Sequence, residues 1–492
     1  MQPCLGAGAP RGLPVMDGLR VVESGSALGR VVVATRGFEA GEVVLAERAA
    51  LVWVNEGVGG LLWAFSRAEC DTQEAVLEMF HPALDSEAAS AALNTGDQLL
   101  LRALHEVQVP FEVAQRLWLV ANFNCHELES KDSALFVIGS KVEHSCLPNT
   151  SYGSRADQLI YTAVRPIAAG DRISFAYVPT SQQDTQERRE LLHTTRLFLC
   201  ACERCEGPDV SRPLPCPACS DGVTLRTLPA ESIRSSATGD SPALQMAQLK
   251  KGAGATWTCL SCSACATDAE MSAAIEKEAE LVADLKQRTL VPDVSPGMLC
   301  AAQRQQVLLH LALPPMHHLH ARFSELVSKF AASEADLAKD MPPGVAEAMV
   351  RAGTMLPVQQ LQWEAAVSAV ELIVWRERSQ AVPLGRMQPQ ATWQPGGAAT
   401  QLELPPQARL AHILDSVWSG SDEAAALQPC WDSAWDAVHA GVDLVDAGSA
   451  ADAAPVFRRY RDAMFSQLSN DGTLRRFIQG VLDSVPPTES RN

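Results

Sequence analysis

Cysteines crowd into three short stretches of this chain, and no other feature restricts its fold as sharply. Cys200, Cys202 and Cys205 lie in "CACERC", Cys216 and Cys219 in "CPAC", and Cys259, Cys262 and Cys265 in "CLSCSAC". Disulfide scaffolds of this density belong to short secreted domains, whereas this chain has 492 residues. Tight thiol groups in a long chain read instead as tetrahedral zinc sites. Cys216/Cys219 and Cys259/Cys262 are two CxxC knuckles in a zinc-ribbon pattern. Cys265 makes a further CxxC with Cys262, so the second knuckle could close through Cys262 or Cys265. Cys200, Cys202 and Cys205 supply three thiolates, with no fourth donor at local spacing, so the fourth must come from elsewhere in the fold. Four-thiolate sites are closed to chemistry, and two structural zinc ions are expected.

A chain of this length exceeds one ordinary core, so two or three domains are expected. Acids outnumber bases, 58 to 40, for a net charge of −18. That balance disfavours a phosphate-binding surface, so no direct nucleic-acid binding is expected, and it suits a basic, lysine-containing protein partner. No run of about 18 apolar residues marks a membrane span. The first residues, "MQPCLGAGAPRGLPVMDG", lack the apolar core of a signal peptide. The expectation is an intracellular monomer, nuclear or cytoplasmic, without membrane association.

Local patterning divides the chain. "LRVVESG", "GRVVVATRG" and "AGEVVLAER" read as strands with glycine turns, and "DQLIYTAVRPIAAGDRISFAYV" returns to strand later. Between them, residues 56–123 carry helical spacing. "IAAGDRISF" echoes "FEAGEVVLA"; the echo is either a structural repeat or two unrelated hairpins. From about residue 268 helical stripes run to the end, such as Leu319, Phe323, Leu326 and Phe330, or Trp363, Val367, Val370 and Val374. The Pro/Gln/Gly-rich stretch 381–407 reads as a mobile loop. His317, His318 and His320 precede a helix and read as its solvated start rather than as metal ligands.

The stretch "KVEHSCLPNT" (141–150) places Glu143, His144, Ser145 and Cys146 in succession. A His144–Cys146 base–nucleophile pair is disfavoured, because such partners are usually distant in sequence. Taken with its surroundings, the stretch resembles the SET domain of protein lysine methyltransferases, most closely the SMYD group. "GRVVVATR" (Gly29–Arg36) resembles the family's first motif, "EHSCLPN" its Asn-His-Ser-Cys-x-Pro-Asn, and "DRISFAY" the strand ending at a tyrosine, here Tyr177. "TQERRELL" and "FLCACERC" resemble its link into the post-SET cysteines. The MYND zinc module is absent: residues 55–120 contain one cysteine, Cys70.

The resemblance implies an α+β fold: a SET domain over 18–199 with a helical insertion at about 56–123, a post-SET and zinc-ribbon region over 200–267, and an all-α, TPR-like array over 268–485. It implies S-adenosylmethionine held by Gly29, Arg30, Glu143, His144, Tyr177 and Phe198. Tyr177 and Phe198 would line the lysine channel as catalytic residues. Cys146 would be the fourth zinc ligand beside Cys200, Cys202 and Cys205. The implied activity is methyl transfer to a lysine of a protein, histone or non-histone; the alternative is a catalytically impaired adaptor that binds partners through its helices. Two positions depart from the family: Val31 replaces a glycine, and Glu143 exchanges an amide for an acceptor-only carboxylate.

Overall fold

The computed structural model describes residues 17–24, 29–54, 57–86, 89–90, 93, 109–178, 180, 182–219, 221–228, 254–289, 298–314, 316–342, 344–352, 355–380, 405–416, 434–467 and 472–485. The chain divides into two compact units, residues 1–177 with 191–198, and residues 178–190 with 199–492.

The first unit is a set of small sheets. Strands β1 (Leu19–Glu23) and β2 (Arg30–Ala34) form an antiparallel hairpin, with Leu19 opposite Ala34. β3 (Val43–Arg48), β8 (Thr150–Arg155) and β9 (Gln158–Ala163) make a sheet in the order β3-β9-β8. β4 (Leu51–Trp53), β5 (His126–Glu127) and β6 (Ser133–Leu135) make another, ordered β4-β6-β5. β7 (Glu143–His144) and β10 (Ser174–Phe175) pair in parallel. Helices Val58–Arg67, Cys70–Leu77 and Phe111–Asn124 interrupt the strands between β4 and β5, where the insertion was expected. Leu61, Leu62 and Phe65 recur at helical spacing and are fully buried, packing this insertion against its own core. A second core of Val32, Leu45, Phe136, Tyr161 and Ile173 fills the space between the strands.

The echoed motifs are a structural repeat. Phe38 and Ile167 face each other as an antiparallel bridge, each N–H donating to the other's carbonyl at 2.9 Å. Gly41 and Gly170, three residues beyond, both turn through positive φ, 86° and 97°. Gly41 N–H donates to Ala163 O, and Gly170 N–H donates to Ala34 O, each at 2.8 Å. The two copies thus cross-bond through equivalent positions, and the glycines are there because other L-residues are strained at that φ.

The second unit opens with a four-stranded antiparallel sheet, β11 (Leu214–Pro215), β12 (Val223–Thr227), β13 (Thr256–Cys259) and β14 (Cys265–Ala266), in sequence order. Helices follow from Ser272 onward. His318–Asp340 packs against Val358–Gln380, and Ala434–Asp446 against Ala450–Gln467. Leu319, Phe323, Leu326 and Phe330 are buried in one core with Leu361 and Ala365, and Trp363, Val367, Val370 and Val374 in another with Ala437, Val438 and Phe457. Of the expected loop 381–407, residues 381–404 lie outside the described residues, and Pro406 already opens helix Pro406–Ser416. Among the described residues no helix is long and apolar enough to cross a membrane.

The histidines before Ala321 are not solvated. His317, His318 and His320 are 0%, 1% and 5% exposed. Leu319 N–H donates to His317 Nδ1, so Nε2–H donates to Glu278 Oε1 at 2.9 Å, and Arg212 grips the same carboxylate. A helix start carries open N–H groups in any setting; here the turn at Ser211 covers it, with His318 N–H donating to Ser211 O.

Two outcomes follow. Gly170→Ala destabilises the first unit by about 1–2 kcal/mol, read as a shift in denaturation midpoint, because alanine cannot occupy φ 97° without strain. Burial lowers His126, His310 and His317 to about 4 from 6.5. A depressed histidine stabilises the fold above the unfolded value and loses that contribution as pH falls through it. The contribution of these histidines is therefore flat above about pH 7 and is lost between 6.5 and 4, by up to about 3 kcal/mol per histidine. It is read as the difference between each His→Gln variant and the unaltered chain in denaturant titrations across that range.

Candidate active site and cysteine centres

The stretch 141–150 is organised by Asn149. Its Oδ1 accepts from Ser174 N–H at 2.9 Å and Ser174 Oγ–H at 3.2 Å, and its Nδ2 donates to Arg172 O at 2.8 Å. Thr150 Oγ1 donates to Ser174 O at 2.8 Å. These buried bonds lock the chain after β7 onto β10. Glu143 therefore sits beside Ser174, and His144 beside Phe175. Upstream, the Glu47 carboxylate accepts the backbone N–H groups of Ile138 at 2.8 Å and Gly139 at 2.7 Å, pinning the 3-10 turn Gly139–Lys141 that leads into β7.

His144 links the two strands further. Tyr177 N–H donates to His144 Nδ1 at 3.0 Å, so Nε2 carries the ring hydrogen and points it at Cys146 Sγ, 3.2 Å away. Its ring lies 5.2 Å from that of Tyr177 and 5.9 Å from that of Phe198. Tyr177 Oη donates to Val142 O at 2.6 Å, and burial pushes its phenol well above the usual range.

These residues wall two cavities. The larger, about 290 Å³, is lined by all six residues expected to hold a cofactor: Gly29, Arg30, Glu143, His144, Tyr177 and Phe198. Val31 also lines it, with Met79, Phe80 and Phe123 adding apolar surface. The smaller, about 110 Å³, is lined by aromatic side chains including Tyr152 and Phe175. Tyr177, Phe123, Asn124, Ser140 and Arg196 border both. Arg196 donates to Phe123 O at 2.7 Å and lies 5.6 Å over the Tyr177 ring.

Charges around the larger cavity are mostly paired. Arg30 donates to Glu78 O at 2.7 Å and lies 3.7 Å from its carboxylate. Glu143 pairs with Arg172 at 3.3 Å; burial raises its carboxyl, against the pull of that guanidinium. Lys141, Asn124, Arg196 and Glu47 were not foreseen. Single residues of these types carry no periodic signal, and only folding brings Lys141, Asn124 and Arg196 to one wall, with Glu47 behind it.

The cysteines separate by unit. Cys216, Cys219, Cys259 and Cys262 bring their sulfurs within 4.8 Å of one another and could hold a metal ion. The Cys216–Cys262 and Cys219–Cys259 sulfur pairs are each 3.8 Å apart. A tetrahedron of Zn–S bonds about 2.3 Å long has edges of about 3.8 Å. Backbone N–H groups of Ala218 and Cys262 point at Cys216 and Cys259 sulfur, at 3.3 and 3.5 Å. Cys265 stands outside this group, near Thr258 Oγ1. The sulfurs of Cys200, Cys202 and Cys205 also lie within 4.8 Å of one another. Two fully buried arginines adjoin them: Arg189 donates to the carbonyls of Cys200 and Cys205, and Arg188 approaches Cys205 Sγ at 3.9 Å. Such cations favour thiolates over thiols. Cys146 is buried in the first unit.

A family model for the SET domain matches residues 29–178. Histone-lysine N-methyltransferase SET5 of Meyerozyma guilliermondii is 35% identical over 126 residues, 24% of this chain and 25% of that protein. The putative SET domain-containing protein L678 of Acanthamoeba polyphaga mimivirus is 33% identical over 90 residues, 18% of this chain and 35% of that protein. Protein-lysine N-trimethyltransferase SMYD5 of Homo sapiens is 34% identical over 82 residues, 16% of this chain and 20% of that protein. The chain thus spans 35% or less of the length of each. A solved structure, the SET domain of LSMT bound to lysine and AdoHcy, covers 75% of this chain and 93% of its own at 10% identity; its TM-score of 0.27 is too low to carry an argument.

At Gly222 an added Cβ would lie 2.4 Å from Cys219 Sγ and 2.6 Å from Cys259 Sγ. Gly222→Ala therefore spreads the four sulfurs, and after loading with zinc and dialysis against a weak chelator the variant is expected to retain about one ion fewer per molecule than the unaltered chain, measured by metal analysis.

Proposed function

Residues 29–178 form a SET domain, and we propose that it transfers a methyl group from S-adenosylmethionine to the side chain of a lysine in a protein substrate. The meeting of the two cavities at Tyr177 carries this reading. The larger cavity fits such a donor: apolar and aromatic walls suit a purine, and charged groups of both signs suit an amino acid. Gly29, Arg30, Glu143, His144, Tyr177 and Phe198 would hold it, and when bound it supplies an electrophilic methyl. The smaller, aromatic cavity would take the lysine stem.

Methyl transfer to an amine is an in-line displacement, so the work of the protein is positioning. The Tyr177 hydroxyl hydrogen is committed to Val142 O, which leaves the phenolic oxygen as an acceptor. An amine N–H donated to that oxygen turns the amine's own lone pair toward the larger cavity. Burial keeps the Tyr177 phenol protonated, so it offers no phenolate to act as a base. The lysine must instead enter neutral, against a free value of about 10.4. Burial in that cavity and the Arg196 guanidinium over Tyr177 both disfavour the ammonium form there, against the Glu127 carboxylate that also lines it.

The other assignments belong to the same proposal. One zinc would sit on Cys200, Cys202 and Cys205 with Cys146 as fourth ligand, and a second on Cys216, Cys219, Cys259 and Cys262. The helices after residue 268 would be a TPR-like array that docks the substrate. The net charge of −18 favours a basic, lysine-rich protein, histone or non-histone.

The test is transfer of labelled methyl from S-adenosylmethionine to a panel of lysine-rich proteins by the full zinc-loaded chain. Tyr177→Phe is expected to lower kcat by about 10²-fold while leaving donor affinity within about threefold, because it removes an acceptor used at the reacting amine. Absence of any transfer by the unaltered protein would overturn the reading.

A further inference from the structure

Three basic residues, Arg30, Lys141 and Arg196, line the larger cavity, and their partners separate them. Arg30 is held by Glu78, and Arg196 by the carbonyls of Asn122 and Phe123. Lys141 is 8% exposed, and its Nζ donates to Val137 O. An ammonium has three hydrogens to donate, so a single carbonyl leaves it under-satisfied. No carboxylate pairs with Lys141 among the described residues; Glu47 and Glu78 act on it only through space, and Arg30 opposes them. The position is nonetheless rigid. Glu47 clamps the N–H groups of Ile138 and Gly139, and Lys141 N–H donates back to Ile138 O at 2.8 Å.

A buried cation with this deficit is a place for an anion. Two residues along the chain, Glu143 lines the same cavity with the opposite charge. The two side chains therefore present a positive and a negative group to one volume, the complement of a free amino-acid zwitterion.

We propose that Lys141 Nζ binds the amino-acid carboxylate of the methyl donor, with the Glu143 carboxylate receiving its ammonium. The assignment rests on the reading of this cavity as the S-adenosylmethionine site. It also gives the exchange of an amide for a carboxylate at 143 a physical role: Arg172, paired with Glu143 at 3.3 Å, and Lys141 together offset the charge that would otherwise repel the donor carboxylate. Desolvation lowers the Lys141 ammonium to about 8, as expected of a cation lacking its counter-ion.

The test is calorimetric titration of the full zinc-loaded chain and of Lys141→Met with two ligands, S-adenosylmethionine and its decarboxylated analogue. Loss of a charge-assisted pair is expected to weaken S-adenosylmethionine binding by about 10- to 100-fold. Affinity for the analogue should stay within about threefold, and Lys141→Arg should recover most of the loss. Because the result is a ratio between ligands on one protein, partial unfolding of the variant cancels. Equal loss for both ligands would overturn the proposal and make Lys141 a support of the fold. Methylation found on Lys141 by peptide mass spectrometry would overturn it too, making the residue an acceptor. Failure of the unaltered chain to bind S-adenosylmethionine would instead remove the reading on which the proposal stands.

Discussion

The side-chain amide of Asn149 holds together the part of the molecule where its chemistry would occur. Buried between β7 and β10, it satisfies the Ser174 N–H and the Arg172 carbonyl, groups a short two-residue strand pair leaves unbonded. Each such bond contributes about 1 kcal/mol net, and each buried group left without a partner costs about 1–3 kcal/mol. The larger consequence is geometric. With β10 fixed, Tyr177 falls where its N–H reaches His144 Nδ1 and its hydroxyl reaches Val142 O. The orientation of one phenol thus follows from an amide in the turn beyond β7. The stretch first met as a possible nucleophile is a structural knot, and its outward-facing members form a cavity wall.

Charge placement follows the same economy. A cavity lined by Arg30, Lys141, Glu143 and Arg196 would be costly if those groups were unpaired in low dielectric. Glu78, Arg172 and backbone carbonyls answer three of them strongly. Lys141 is left with a single backbone carbonyl as its acceptor, where Arg196 has two. In the second unit the same rule appears in its complete form: Glu278, buried, is met by Arg212 and His317 together.

Much of this was legible from local pattern. The helical insertion, the strands on either side of it and the apolar stripes of the later helices depend on spacing of two or 3.6 residues, which a linear reading captures. The six proposed cofactor residues share one wall because their motifs carry strand-end geometry with them. The repeat of "FEAGEVVLA" in "IAAGDRISF" was visible as text, but only the Phe38–Ile167 bridge distinguishes it from coincidence. His317, His318 and His320 were misread for a definite reason. Histidine before a helix usually meets water, and burial here comes from residues far away in the chain, Ser211 and Glu278.

The sequence by itself determined where thiols cluster, where strands and helices begin, and which motifs stand near one another. These are local properties, set by residue type and spacing. Tertiary structure alone decided that Cys262 rather than Cys265 joins Cys216, Cys219 and Cys259, because the turn after β13 aims one sulfur inward and leaves the other on β14 facing away. It alone placed Lys141, Arg196 and Asn124 on the cavity wall, and Glu47 behind it. Each of those side chains acts through neighbours that lie tens of residues away, and distance along a chain says nothing about distance in space until the backbone has closed.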